Sequence, residues 1–282
     1  MLSMERARKL EIATGSIRKF AQGGSLPRAA NLLKKFRSAD IVEILDGLGA
    51  QERMGVWKAL RAVDARLAGD VLAEMPERGA AAILTELSPA EVAHMLRSLP
   101  VDDAAHLVSL LPDELVDNLQ DEEDLDRTIS PELAGHLTYE EETAGRLMTT
   151  DVFALADNLT VGEATRALQE RADHLEMVFY LYVVDDRRHL VGVVSLRQLL
   201  LNPPATPLRR IMSEDVISVR TEADQEEVAQ SIARYNLLAL PVVDAENRLV
   251  GLITVDDAID VLREEATEDL YALAGVNVAE SL

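Results

Sequence analysis

The chain has 282 residues, no cysteine, 48% hydrophobic but only 4% aromatic residues, and a formal net charge of −22 from 28 basic and 50 acidic side chains. This length and apolar content allow two or three domains with cores of Leu, Val, Ala and Ile, and exclude a disordered chain. The lack of cysteine excludes disulfides and thiolate metal sites, and the acidic balance disfavours nucleic acid and anionic lipid while favouring cations.

The charge is uneven along the chain. Residues 1–50 carry nine basic and five acidic residues, 51–136 seven against eighteen, and 137–282 twelve against twenty-seven. The charged start at Glu5, Arg6, Arg8 and Lys9 has no apolar run behind it, so it does not read as a secretory signal. No run approaches the roughly 18 apolar residues of a spanning helix, so the segment reads as soluble and cytoplasmic.

Trp57 comes first in chain order, and a lone Trp ahead of a helical array predicts a core anchor. A twelve-residue repeat follows. Met75, Leu87, Leu99 and Leu111 open the phrases MPERGAAAILTE, LSPAEVAHMLRS, LPVDDAAHLVSL and LPDELVDNLQDE, and VDARLAGDVLAE from Val63 fits the same frame. The ninth positions are Val71, Ile83, Met95, Leu107 and Leu119; the sixth are Ala68, Ala80, Val92, Ala104 and Val116. Each phrase has a Pro or Asp turn signal and then about eight helix formers, with Pro tolerated at a helix start because its missing N–H would be unpaired there anyway. Ser88 before Pro89, with Glu91 three residues on, is a capping-box pattern. Helices this short are marginal alone, so the array predicts a stacked α-solenoid, with Ala81, Ala93 and Ala105 permitting close approach. His94, His106 and His136 show no metal-ligand spacing.

The second half is a duplication. LMTTDVFALADNLTVGEATRAL from Leu147 matches IMSEDVISVRTEADQEEVAQSI from Ile211, and YVVDDRRHLVGVVSLRQLL from Tyr182 matches PVVDAENRLVGLITVDDAIDVL from Pro241. The offset changes from 64 to 59, which places about five extra residues in the first module around 172–178. Each module reads strand, helix, strand, turn, strand, helix. The strands are expected at Val152–Ala156 and Val216–Val219, at Val183–Val184 and Val242–Val243, and in the fully apolar runs Leu190–Val194 and Leu249–Ile253. The helices are expected at Val161–Leu168 and Gln225–Ala233, and after Ser195 and Thr254. Gly192 and Gly251 read as backbone-packing positions. No Walker loop, nucleophile elbow or placed Ser-His-Asp set appears, so no enzyme is expected.

Carboxylates are the residues with usable chemistry. Asp256, Asp257, Asp260, Glu264, Glu265, Glu268 and Asp269 lie within fourteen residues, and Asp257, Asp260, Glu264 and Glu268 share one helical face. Like charges at that spacing repel by about 0.2–0.5 kcal/mol per pair, a sign that a bound cation reverses. A hard divalent cation takes oxygen ligands and can keep several waters, so one or two carboxylates suffice. A solvated acidic face explains the same pattern without any ion.

The phrase LPVVDAENRLVGLITVDD (Leu240–Asp257) resembles the CBS fold, and the pair resembles a Bateman module of two βαββα units. The lead-in YEEETAGRLMT (Tyr139–Thr149), the tail DVLREEATEDL (Asp260–Leu270) and the preceding helical repeats resemble the MgtE magnesium-transporter family, over roughly residues 50 to 275. The resemblance implies an α plus α/β chain: an N-terminal α-helical solenoid-like domain (1–136), a first CBS domain (137–204), a second (205–266), and the start of a connecting helix (267–282). It implies a Mg²⁺-sensing cytosolic region at the cytoplasmic face of the membrane that closes on Mg²⁺ and gates uptake. It also implies a homodimer through the CBS domains and, if the chain is a fragment, a transmembrane domain of the same protein as partner. By the resemblance Asp257, Asp260, Glu265, Glu268 and Asp269 face Mg²⁺ ions between the CBS pair, the helical domain and the connecting helix. Glu91 and Glu226 are added candidates, and Asn236 stands where some relatives have Asp. By the same resemblance CBS pairs bind adenine nucleotides through a Ser/Thr and an Asp with two residues between them after the third strand. Ser195 with Gln198, flanked by Arg197 for phosphate and Tyr180 for the base, is that candidate site for ATP, although Gln198 replaces the acid. Thr254 and Asp257 form the second such motif, and both motifs also fit plain helix caps. The alternative functions are a soluble adenine-nucleotide sensor acting on a partner protein, and an interaction scaffold.

Overall fold

A computed structural model of the chain describes residues 2–119, 129–171 and 179–273. The extra residues expected at 172–178 and the 274–282 part of the expected connecting helix lie outside the described residues. The chain divides into two compact units, Met1–Ala134 and Gly135–Leu282.

The first unit is helical: α1 (Leu2–Gln22), α2 (Leu26–Leu33), α3 (Ser38–Asp46), α4 (Ala50–Val63), α5 (Ala65–Ala73), α6 (Glu77–Leu84), α7 (Pro89–Leu96), α8 (Val101–Ser109) and α9 (Asp113–Leu119). The twelve-residue period is one helix of eight or nine residues plus its turn for α5 through α8. All five ninth-position residues are buried, as are Ala68, Ala80, Val92 and Ala104 of the sixth, while Val116 is half-buried. The helices start where the turn signals stand. Asp64 accepts from the Leu67 N–H at 3.2 Å, and Ser88 forms its reciprocal box with Glu91. α5 packs on α7 and α8, and α7 on α9, so these short helices bury their stripes against one another. Trp57 is fully buried, and its indole Nε1 donates to the Ala68 carbonyl at 3.0 Å, tying α4 to α5. The expected core anchor is found.

The second unit follows α10 (Pro131–His136) and contains α11 (Ala144–Leu147), β1 (Ala154–Ala156), α12 (Val161–Arg171), β2 (Tyr180–Val184), β3 (Leu190–Ser195), α13 (Leu196–Leu201), a 3₁₀ turn (Leu208–Arg210), β4 (Val219–Arg220), α14 (Gln225–Tyr235), β5 (Ala239–Val243), β6 (Leu249–Thr254) and α15 (Val255–Leu273). Two three-stranded sheets, β1-β2-β3 and β4-β5-β6, repeat one topology: the outer pair parallel, the hairpin antiparallel with a bulge before its turn. The strand expected over Val216–Val219 starts only at Val219; Val216 instead packs into the cluster between the sheets. The apolar strands β3 and β6 serve two clusters each: Val194 and Ile253 are buried in their own modules' cores, and Leu190 and Leu249 in the seam between modules.

Each module's core is completed by the segment that precedes the other module. Ala144 and Met148, ahead of β1, are buried with Val228, Ile232 and Ile253 of the second module. Leu208, with Ile211 and Met212, ahead of β4, packs with Leu155, Val183 and Val194 of the first. The main chain makes the same exchange: Thr149 and Leu252 trade N–H···O bonds of 2.9 and 3.0 Å, and Val193 and Ser213 trade two of 2.9 Å. This fixes the two glycines. A Cβ on Gly251 would lie 2.4 Å from Met148 Sδ, and one on Gly192 2.6 Å from Met212 Sδ.

Candidate ligand sites

Both modules bring a hydroxyl residue from the end of a strand to the start of a helix. In the second, the Thr254 N–H and hydroxyl donate to Asp257 Oδ2 at 3.2 and 2.5 Å. Asp257 is therefore a capping residue first, with Oδ1 outside the cap. Burial pushes its carboxyl up to about 6; the neighbouring Asp256 and Asp260 charges add to the rise and the Thr254 hydrogen bonds oppose it. Asp260 is exposed and paired with Arg263 at 3.1 Å. Glu265 is half-buried and accepts from Gln225 Nε2 at 3.3 Å, linking α15 to α14. Glu264, Glu268 and Asp269 belong to α15, but their side chains lie outside the described residues.

Glu226 is exposed in the first turn of α14 and accepts from Gln230 Nε2 at 2.8 Å. Asn236 caps the end of the same helix with φ 52° and ψ 45°, a left-handed conformation that Asn tolerates better than most residues. That cap accounts for Asn at this position without any ion.

Glu91, in the first unit, is fully engaged. One carboxylate oxygen pairs with Arg61, and the other accepts from the Ser88 N–H and hydroxyl at 3.0 and 2.9 Å. The Arg61 hydrogen bond, followed by the Ser88 contacts, holds its carboxyl down at about 2. A cation at Glu91 has to compete with a guanidinium.

Among the described residues no three carboxylate or imidazole side chains converge on one point. Asp260 and Glu226 are exposed and Asp257 and Glu265 half-buried, and carboxylate oxygen is the ligand type that a hard, largely hydrated cation takes.

The first module holds a cleft of about 630 Å³ lined by Phe179, Tyr180, Ser195, Leu196, Arg197, Leu200, Leu201 and Leu238. Tyr180, Ser195 and Arg197 are thus brought together as expected. Gln198 is not at the cleft wall. Its side-chain oxygen accepts from the Ser195 N–H and hydroxyl, each at 2.8 Å, and its amide donates to the Ile211 carbonyl at 2.7 Å. Those bonds fasten α13 to the exchanged segment and engage the side-chain oxygen that would have accepted from a ribose hydroxyl. Phe179 and Leu238 were not singled out from the sequence, yet they occupy matching positions, each sitting just before a central strand and accepting the N–H that opens the following helix, at 3.1 Å in both modules. The 59-residue offset was the signal that could have found them.

The family model of the MgtE intracellular N domain matches residues 36–142, and that of the CBS domain matches residues 144–203 and 208–264. The magnesium transporter MgtE of Enterococcus faecalis is 49% identical over 144 residues, and that of Thermus thermophilus 46% over 156 residues. These matches take in 51% and 55% of this chain but only 32% and 35% of those proteins, so the matched part spans about a third of their length. Among solved structures, the soluble part of a magnesium transporter superposes with a TM-score of 0.77 at 32% identity, covering 91% of this chain and 99% of that one. The cytosolic domain of the Mg²⁺ channel MgtE in complex with ATP gives 0.72 at 32% identity, covering 88% and 99%. No helix among the described residues is long and apolar enough to cross a membrane. With both family models in sequence and a solved relative matched over nearly all of its length, the chain belongs to the MgtE family and corresponds to the cytosolic part of its solved relatives.

Proposed function

We propose that the chain is the Mg²⁺-sensing cytosolic regulatory region of a magnesium transporter, and that Mg²⁺ binding favours a closed state that restrains ion uptake. The observation that carries this reading is α15: one continuous helix bearing seven carboxylates from Asp256 to Asp269 against a single basic residue, Arg263. Their mutual repulsion opposes close approach of any other acidic surface until a cation neutralises it. An ion bound only in the closed state stabilises that state by RT ln(1 + [L]/Kd) per site, so a few weak sites produce a steep response. The proposed ligands are Asp257, Asp260, Glu265, Glu268 and Asp269, with Glu226 and, after release from Arg61, Glu91. The gated element is the membrane part of the same protein. Homodimerisation through the CBS pair is supported by exposed Leu200 and Leu201 on α13 and Ile259 and Leu262 on α15. The test is a MgCl₂ titration of the chain followed by small-angle scattering and limited proteolysis, with NaCl matched for ionic strength. Compaction and protection in millimolar Mg²⁺, shifted to higher concentration by Asp260→Asn with Glu265→Gln, are expected. An unchanged radius and cleavage pattern refute the reading.

A second reading, adenine-nucleotide binding, is favoured by the cleft in the first module and supported by the ATP complex of a solved relative. In it Tyr180 stacks on the base and Arg197 meets phosphate, while Ser195 supplies a hydroxyl at the rim. Calorimetric titration with ATP should show binding that Arg197→Ala weakens about tenfold, the order expected for one charge-assisted contact; ATP binding indifferent to that change removes the cleft from consideration.

A further inference from the structure

The acidity of this chain stops short of its first helices. Residues 1–37 carry nine basic and two acidic side chains, a net +7, so the other 245 residues sum to −29. α1 turns Leu10, Ala13 and Ile17 inward and packs on α2, α3 and α4. By helical spacing the opposite stripe is Met4, Arg8, Ile12 and Lys19. Met4 is 80% and Ile12 62% exposed, on a helix whose apolar requirement is already met on the other face. Arg6, in line with the inward stripe, and Arg18 pair with Asp40 and Glu52, whereas Arg8 and Lys19 have no ion pair among the described residues; the exposed Glu5 and Glu11 border the outward stripe. Lys9 lies 5.1 Å over the Phe36 ring, which sets the turn carrying Lys35 and Arg37 beside α1.

We propose that this outward face of α1 docks on an anionic phospholipid surface. Cations interleaved with exposed aliphatic side chains are what a headgroup layer accepts: phosphates meet Arg8 and Lys19, and Met4 and Ile12 enter the acyl boundary. Single-stranded nucleic acid is instead gripped by exposed aromatic platforms, which α1 lacks. Each basic residue near such a surface strengthens binding by about fivefold. The attraction fades beyond a Debye length of about 8 Å at physiological salt, which limits the opposing effect of acidic residues outside α1, whereas Glu5 and Glu11, exposed beside the stripe, oppose docking from within that range and leave Arg8, Lys9 and Lys19 to outweigh them. The docking involves neither Mg²⁺ nor nucleotide, so its failure and that of the proposed function are separate outcomes.

The experiment is vesicle flotation of the full chain in EDTA, with phosphatidylcholine alone or mixed equally with phosphatidylglycerol. Flotation with the anionic vesicles only, lost in high salt, is expected. Arg8→Glu with Lys19→Glu should weaken it on the order of 25-fold or more; Met4→Ser with Ile12→Ser should weaken it while leaving the salt dependence. Circular dichroism confirms that both variants keep their helix content. Equal flotation with neutral vesicles, none with either, insensitivity to the charge reversal, or a preference for added RNA over the vesicles overturns the proposal.

Discussion

Asp257→Asn isolates the electrostatic cost built into the start of α15. In the folded chain the Asp257 carboxyl titrates at about 6 because it is buried beside Asp256 and Asp260, while an unfolded Asp titrates near 3.9. The folded state therefore holds the proton more tightly, and this group contributes stability that is present below about pH 4 and lost as pH rises through 6. A gap of about two units corresponds to roughly 3 kcal/mol. The favourable position of a charge near a helix N-terminus offsets about 0.3–1 kcal/mol of any gain from neutralising it. Asn keeps an oxygen to accept from the Thr254 N–H, so the cap survives. The variant should exceed the parent in stability by about 1–3 kcal/mol at neutral pH, with the difference vanishing near pH 4. Urea denaturation in EDTA across that range, followed by far-ultraviolet circular dichroism, measures it. Fluorescence of Trp57, the single Trp, reports the first unit separately. Working with the difference between the two proteins cancels the carboxylates that do not interact with Asp257, leaving Asp257 and its coupling to Asp256 and Asp260. A difference that does not change with pH, or a parent more stable at neutral pH, refutes the reasoning.

Arg61→Ala should destabilise the first unit by about 1 kcal/mol, since it removes a partly exposed pair with Glu91 and the guanidinium 5.6 Å from the Trp57 ring. Glu91, held down at about 2, gives stability that is present above its unfolded value and lost as pH falls from there toward 2; in the variant that loss should be smaller and complete at higher pH, read by Trp57 fluorescence in acid titration. Gly251→Ala and Gly192→Ala should each cost about 1–3 kcal/mol, the usual range for overpacking, because the new methyl meets a Met sulfur at 2.4 or 2.6 Å and, at Gly251, the Thr149 carbonyl at 2.8 Å; thermal melts of the second unit measure this. Trp57→Phe should cost at least about 1–3 kcal/mol, the penalty for leaving the buried Ala68 carbonyl without its donor.

Local features were legible because they follow from spacing. The ninth-position residues, the Ser88–Glu91 box and the hairpin strands depend on residues three to twelve apart, and burial periodicity displays them directly. The membership of Tyr180, Ser195 and Arg197 in one cleft was legible through the resemblance to CBS pairs. Gln198 was half legible: its capping role was readable, but its bond to the Ile211 carbonyl is a contact across thirteen residues of irregular chain. Glu91 was identified as a carboxylate near the helical repeats, and the sequence carried no sign that Arg61, thirty residues earlier, already neutralises it.

The order of residues determined which segments become helices and strands, where each is capped, that the second half is one unit written twice, and how charge is apportioned along the chain. These are consequences of short-range sterics, hydrogen bonding and apolar periodicity. Only the tertiary structure decided that the Ala144–Met148 segment completes the second module and the Leu208–Met212 segment the first. That exchange rests on main-chain bonds such as Thr149 with Leu252, which any residue type can make, and on a glycine that admits the close approach. Backbone pairing over a hundred residues leaves almost no mark on side-chain identity, so three-dimensional packing alone settles it.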